Sequence, residues 1–150
     1  MKKCRRFFAV LLSVVTLAAV MAVTVSAANT DDTPFNFYAR VGIFGLVDCR
    51  EKQDTSPVYF YAYDGLTSVR VQVYGSNTNK EGDGENLTVA NGVLREYVIC
   101  VKDIGYSVHS DVREEGYARA ALYLASNTGY AGIVSGEWSP DSMYAHRDAT

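Results

Sequence analysis

Val58-Tyr59-Phe60-Tyr61-Ala62-Tyr63-Asp64-Gly65-Leu66-Thr67-Ser68-Val69-Arg70-Val71-Gln72-Val73-Tyr74 decides the fold class. Val58, Phe60 and Ala62 alternate with Tyr59, Tyr61 and Tyr63. Val69, Val71 and Val73 alternate with Arg70, Gln72 and Tyr74. A period of two is the signature of strands with one buried face. The four residues Asp64-Gly65-Leu66-Thr67 between the runs suggest a hairpin loop. That hairpin pairs Ala62 with Val69, Phe60 with Val71 and Val58 with Val73, which puts both apolar sets on one face. Pro57 suits a strand's first position, where a missing donor does little harm.

The same pattern continues outward. Phe35, Phe37, Ala39 and Val41 alternate with Asn36, Tyr38 and Arg40. Gly75 to Gly92 is rich in Asn, Gly and acidic residues and reads as a long exposed loop, with a short strand at Leu87-Thr88-Val89-Ala90. Val93 to Val101 reads as one strand, apolar on both faces near its end and so expected at a central position. Glu115 to Ser126 alternates like a strand, although its alanine and leucine content also suits a helix. The β segments around it favour strand. Ala131 to Glu137 reads as the last strand, Trp138-Ser139-Pro140-Asp141-Ser142 as a turn, and the tail to Thr150 as loose. Six to seven strands joined by turns imply an all-β fold, an antiparallel β-sandwich or a small open barrel.

The first 28 residues stand apart. Met1-Lys2-Lys3-Cys4-Arg5-Arg6 is basic, Phe7 to Val25 is apolar and uncharged, and Val25-Ser26-Ala27-Ala28 offers small residues for cleavage after Ala27 or Ala28. This is the layout of a secretory signal peptide. The expectation is a leader at 1–28 and a single secreted β domain at 29–150, with no stable membrane insertion after cleavage. Loss of Lys2, Lys3, Arg5 and Arg6 takes the basic count from 14 to 10 against 17 acidic residues, a formal charge of −7. Nucleic acid and anionic lipid need a basic face and are disfavoured as partners. Cys49 and Cys100 remain. In an oxidising compartment they are a disulfide candidate, and two buried free thiols are the alternative. A bridge closing that loop would restrict the unfolded chain by about 4 kcal/mol in the chain-entropy model.

No constellation makes a strong catalytic or metal motif. Ser107, His109, Ser110 and Asp111 bring nucleophile, base and carboxylate types close together. A triad, however, is assembled across a fold, and no Gly-x-Ser-x-Gly elbow is present. The settings of Cys49 and Cys100 lack the small residues that open a nucleophile's helix. His109 and His146 lack metal-ligand spacing. Glu81, Asp83 and Glu85 fall short of a calcium loop. Asn86-Leu87-Thr88 fits a glycosylation acceptor, read as coincidence beside this leader. No cofactor is expected.

The outward positions are more informative. Tyr38, Arg40, Tyr59, Tyr61, Tyr63, Arg70, Tyr74, Tyr117, Arg119 and Tyr123 lie opposite their strands' apolar sets. Tyrosine offers a large rigid contact with a polar tip, and arginine stacks on it. The candidate binding residues are Tyr59, Tyr61, Tyr63, Arg70, Tyr74, Tyr117 and Arg119, as one face for a cell-surface polymer or protein. Tyr and Arg on a solvated face, or one covered by a second sheet, give the same pattern.

The second half also carries a block-wise resemblance. Glu114-Glu115-Gly116-Tyr117-Ala118-Arg119-Ala120-Ala121-Leu122 and Gly136-Glu137-Trp138-Ser139-Pro140-Asp141-Ser142, with Ser56-Pro57-Val58-Tyr59 upstream, resemble a family of small exported proteins of Gram-positive bacteria with no assigned activity. More loosely, the chain is similar to the lactococcin 972-like bacteriocins, which are secreted, tyrosine-rich and β. Their mature chains are shorter and richer in Gly and His. The resemblance implies no catalytic residues. The expectation is a secreted, non-enzymatic binding domain, with a bacteriocin-like toxin acting on related cells as the alternative. Exposed strand edges are compatible with self-association, but the sequence does not set an oligomeric state.

Overall fold

A computed structural model describes residues 29–78 and 84–150. The leader expected at 1–28 and the acidic pair Glu81 and Asp83 lie outside the described residues. The chain forms β1 (Thr33–Ala39), β2 (Gly45–Glu51), β3 (Val58–Gly65), β4 (Ser68–Ser76), β5 (Thr88–Ala90), β6 (Val93–Leu94), β7 (Val98–Val101), β8 (Gly105–Ser110), β9 (Arg119–Ser126), β10 (Gly132–Ser139) and β11 (Arg147–Asp148). One sheet has seven strands in the order β1-β10-β3-β8-β5-β6, with β11 joined in parallel to β8. The other has four, ordered β2-β9-β4-β7. All other strand pairs are antiparallel. The fold is the all-β sandwich expected, with more and shorter strands.

The core fills from alternate positions of both sheets. Phe60, Val134, Trp138 and Val108 come from the larger sheet, and Val71, Val73, Leu122 and Leu124 from the smaller. Phe35 stacks on Phe60, ring centroids 5.7 Å apart.

β3 and β4 do not form the expected hairpin. β3 is flanked by β10 and β8, and β4 by β9 and β7, so each has both edges occupied in a different sheet. The apolar sets Val58/Phe60/Ala62 and Val69/Val71/Val73 do share a core, from opposite sides. Gly65 makes the crossing with φ +90°, and a Cβ there would strike the Ile133 carbonyl. Leu66 donates its N–H to that carbonyl at 3.0 Å and tucks its side chain into the core. A hairpin and a corner between facing sheets give identical alternation, so the pattern cannot choose between them.

Other expectations need correction. Val93 to Val101 is two strands in different sheets, and β7 is an edge strand with Ile99 and Val101 exposed. Trp138 and Ser139 continue β10, and Trp138 is fully buried. The tail is tied down, because β11 pairs with β8 and Ala149 is buried. In the Asn/Gly-rich stretch, Gly75 and Ser76 complete β4, and Leu87 bonds back to Val73 and is buried. β9 is a strand, as favoured, and buried along most of its length between β2 and β4.

Cys49 and Cys100 are both free and buried. They lie on β2 and β7, opposite edges of the four-stranded sheet. Cys49 belongs to the cluster on its outer face and Cys100 to the core. Three strand spacings of about 4.8 Å each hold them well beyond the roughly 7 Å Cα reach of a disulfide. Burial pushes the Cys100 thiol far above the usual thiol range.

The two sheets are joined at one end by a buried ion pair. Lys52 follows β2 and Asp141 follows β10, and Lys52 Nζ lies 3.0 Å from Asp141 Oδ1 with both side chains fully buried. The ammonium also donates to the carbonyls of Ser56 and Pro140. Asp141 Oδ2 accepts from Gln53 N at 3.0 Å and Asn29 N at 2.8 Å. Burial lowers the Lys52 pKa below the usual lysine value, and Asp141 opposes that shift. Removing one partner strands a buried charge, at a cost of about 3–5 kcal/mol. Lys52→Met and Asp141→Asn are each expected to lose that much in urea unfolding. The double variant is expected to lose less than the two single losses combined. Thiol titration of unfolded residues 29–150, without reductant, is expected to find both Cys49 and Cys100 reactive.

Candidate functional site

The structure divides the expected binding residues among three places. Tyr59, Tyr61 and Tyr63 stand on β3 in the seven-stranded sheet, with the core set Val58, Phe60 and Ala62 pointing the other way. Arg70 and Tyr74 lie on β4, opposite its core set, and so face outward from the other sheet. Tyr117 precedes β9, packs its ring beside Gly75 and donates its hydroxyl to Glu85 at 3.0 Å. Arg119 begins β9 and donates to the Cys49 carbonyl at 2.7 Å, tying β9 to β2. The first three come together. Arg70 and Tyr74 share another face, and Tyr117 and Arg119 serve packing and strand linkage.

The outer face of the four-stranded sheet is covered by its own side chains. Cys49, Ala121 and Tyr123 are buried beneath Phe44, Leu46 and Tyr74. Tyr74 lies 4.6 Å from Tyr123 between centroids, and Phe44 lies 6.1 Å from Tyr97. The Arg70 guanidinium sits 4.7 Å above the Tyr97 ring and donates to Asn127 at 3.2 Å. Ala121 and Ala125 leave room for these rings on the strand surface. Gln72 is buried there and donates to the Glu96 carbonyl at 2.6 Å.

The seven-stranded sheet has a more open outer face. Tyr38 on β1 faces Ile133 on β10 across the strand pair, and they are 58% and 52% exposed. On the neighbouring strand, Tyr63 is 44% exposed and sits 6.0 Å from the Tyr61 ring. Tyr63 is the extra residue of a bulge, since Ser135 pairs with Asp64 and Gly136 with Ala62. Such a bulge re-aims the side chain it carries. Lower on β3, the Tyr59 hydroxyl donates to Glu137 at 3.5 Å, and its ring meets His146 at 4.5 Å. Burial, then the charges of Glu137 and Asp32, push the Tyr59 phenol up to about 12. Glu137 and Ile133 were not among the expected binding residues, and His146 was weighed only as a metal or catalytic candidate. Glu137 and Ile133 were legible in principle, as outward positions of β10.

Of Ser107, His109, Ser110 and Asp111, the last three line one cleft, and Ser107 stands apart from it. The Ser107 hydroxyl is buried and accepts from His146 N at 3.2 Å. His109 Nε2 lies 3.0 Å from Asp148 Oδ1 on the exposed side. Ser110 is buried, and Asp111 lies beyond the strand's end beside this cleft of about 340 Å³, which Glu114 and Asp148 also line. Among the described residues, no group of three or more His, Cys, Asp or Glu is placed to hold a metal ion.

Fold and faces together define a β-sandwich with one self-covered outer face and one open tyrosine face. The chain belongs to the family described as protein of unknown function (DUF2712), whose model matches residues 23–142. No curated protein and no solved structure matches it.

The raised Tyr59 pKa has a direct readout. From pH 10 to 12 the folded chain keeps a proton that the unfolded chain releases. The stability Tyr59 contributes is therefore complete below pH 10 and lost as pH rises toward 12. A difference ultraviolet titration between the native chain and Tyr59→Phe is expected to show one phenol ionising near pH 12 rather than 10.

Proposed function

We propose that this chain is an exported, non-enzymatic binding protein. Its contact surface is the outer face of the seven-stranded sheet, and its partner is a cell-surface polymer or protein. The observation that carries this reading is the open row on β3. Tyr59, Tyr61 and Tyr63 occupy outward positions of a strand flanked on both edges, with exposed Tyr38 and Ile133 beside them. Contiguous exposed aromatic and aliphatic surface is uncommon without a partner, and tyrosine anchors dominate many interfaces. The row is held by hydrogen-bonded strands on both sides, so little ordering cost falls on binding. Carboxylates of Asp32, Asp64 and Glu137 border it. They favour a neutral or cationic partner over an anionic polymer. The basic-then-apolar leader at 1–28 supports export, and the resemblance to small exported proteins of Gram-positive bacteria supports a role at the cell surface.

Mature protein, residues 29–150, is incubated with Gram-positive cells and their isolated walls, and both retained protein and cell viability are recorded. Retention with full viability is the expected result. Tyr61→Ser combined with Tyr63→Ser is expected to weaken retention at least about tenfold. Arg70→Ser on the opposite sheet leaves it unchanged. Unchanged retention in the folded tyrosine variant would remove this face from the site. Killing of the cells would replace the binder with a toxin.

A further inference from the structure

We infer that export processing falls between Ala28 and Asn29, and that the ammonium it releases on Asn29 completes the buried Lys52–Asp141 ion pair. The inference rests on the export reading above and extends it to a chemical consequence.

Cleavage after Ala27 or after Ala28 fits the small residues equally. The fold distinguishes them. Asn29 N lies 2.8 Å from Asp141 Oδ2. The Asn29 side chain is fixed at both ends, with Nδ2 donating to the Glu51 carbonyl at 2.9 Å and Oδ1 accepting from Arg50 Nη2 at 2.8 Å. Arg50 also holds the Asp31 carbonyl at 2.7 Å, so the segment runs clamped along β2. The atom that processing at this bond would charge is thus already placed on a fully buried carboxylate.

Hydrolysis adds water across the Ala28–Asn29 peptide bond. The carbonyl carbon leaves as the Ala28 carboxylate, and the nitrogen becomes an amine that takes up a proton. The enzyme required is a signal peptidase that accepts small residues. A bond charged on its acceptor alone becomes one charged on both sides, an ion pair as well as a hydrogen bond. Cleavage after Ala27 would leave Asn29 N as a neutral amide and put the new charge one residue away. Processing at 28/29 therefore tightens the junction of the two sheets.

The test has two parts. The full chain is expressed with its leader, and the N-terminus of the exported product is read by mass spectrometry. A start at Asn29 is expected. A start at Ala28 overturns the processing site while leaving export intact, and a retained leader overturns both. Separately, chains starting at Asn29, at Ala28 and at N-acetylated Asn29 are melted side by side at pH 6. The free Asn29 chain is expected to melt about 4 °C above the other two. Equal melting temperatures would overturn the role of the ammonium.

Discussion

The buried pair of Lys52 and Asp141 is the constraint on which the architecture turns. Each residue stands just past the end of a strand, one in each sheet, so their contact fixes how the sheets meet. Charges in such a place are costly unless every lone pair and proton is matched. Here the matching is done by main chain, through the carbonyls of Ser56 and Pro140 and the N–H groups of Gln53 and Asn29. Those groups belong to the segments entering β1 and β3 and leaving β2 and β10. The Gly-x-Trp-Ser-Pro-Asp-Ser block therefore has a structural reading. Trp138 fills the core, and Ser139 donates to the Asp141 carbonyl as the chain bends to present the carboxylate.

From that junction the two outer faces take different roles. On the smaller sheet, rings lie down over Ala121 and Cys49 and spend their contact surface on the protein itself. On the larger sheet, the bulge at Tyr63 and the Tyr38–Ile133 pair leave comparable surface turned to solvent. Both faces look alike in sequence, because both read as tyrosine opposite valine. The difference lies in what the neighbours supply, namely small residues with covering rings along one face, and on the other a ring over Tyr59 alone while Tyr38, Tyr63 and Ile133 stay exposed.

This explains how far the sequence could be read. Alternation at 35–39, 58–63 and 69–74 identified strands and their buried sides, since that information is local, whereas Val41, read on the same apolar side, lies past the end of β1 and is exposed. Sheet membership is not local. Among the described strand ladders, only β5 with β6 joins consecutive strands. The sequence offers no trace of β10 lying between β1 and β3. β2 went unread because Gly45-Leu46-Val47-Asp48-Cys49-Arg50-Glu51 breaks its alternation at a bulge between Leu46 and Asp48. The tyrosine row on β3 was legible as a set, but Arg70 and Tyr74 were joined to it only through the assumed hairpin. The Lys52–Asp141 pair had no sequence signal, because two ordinary charged residues 89 apart carry no mark of burial.

The scarcity of neighbouring-strand pairs also governs time. A chain whose sheets are closed almost entirely by distant segments must give up much loop entropy before any contact rewards it, so it folds at the slow end of the range for its size. β3, which carries the tyrosine row, gains its partners only after β8 and β10 have been made. Even its N-terminal clamp must wait for Asp141, near the other end of the chain. For a polypeptide threaded through a membrane as an extended strand, such reluctance to fold is an asset. If the chain is exported as proposed, the arrangement that fixes the finished surface would also keep the unfinished chain open for passage.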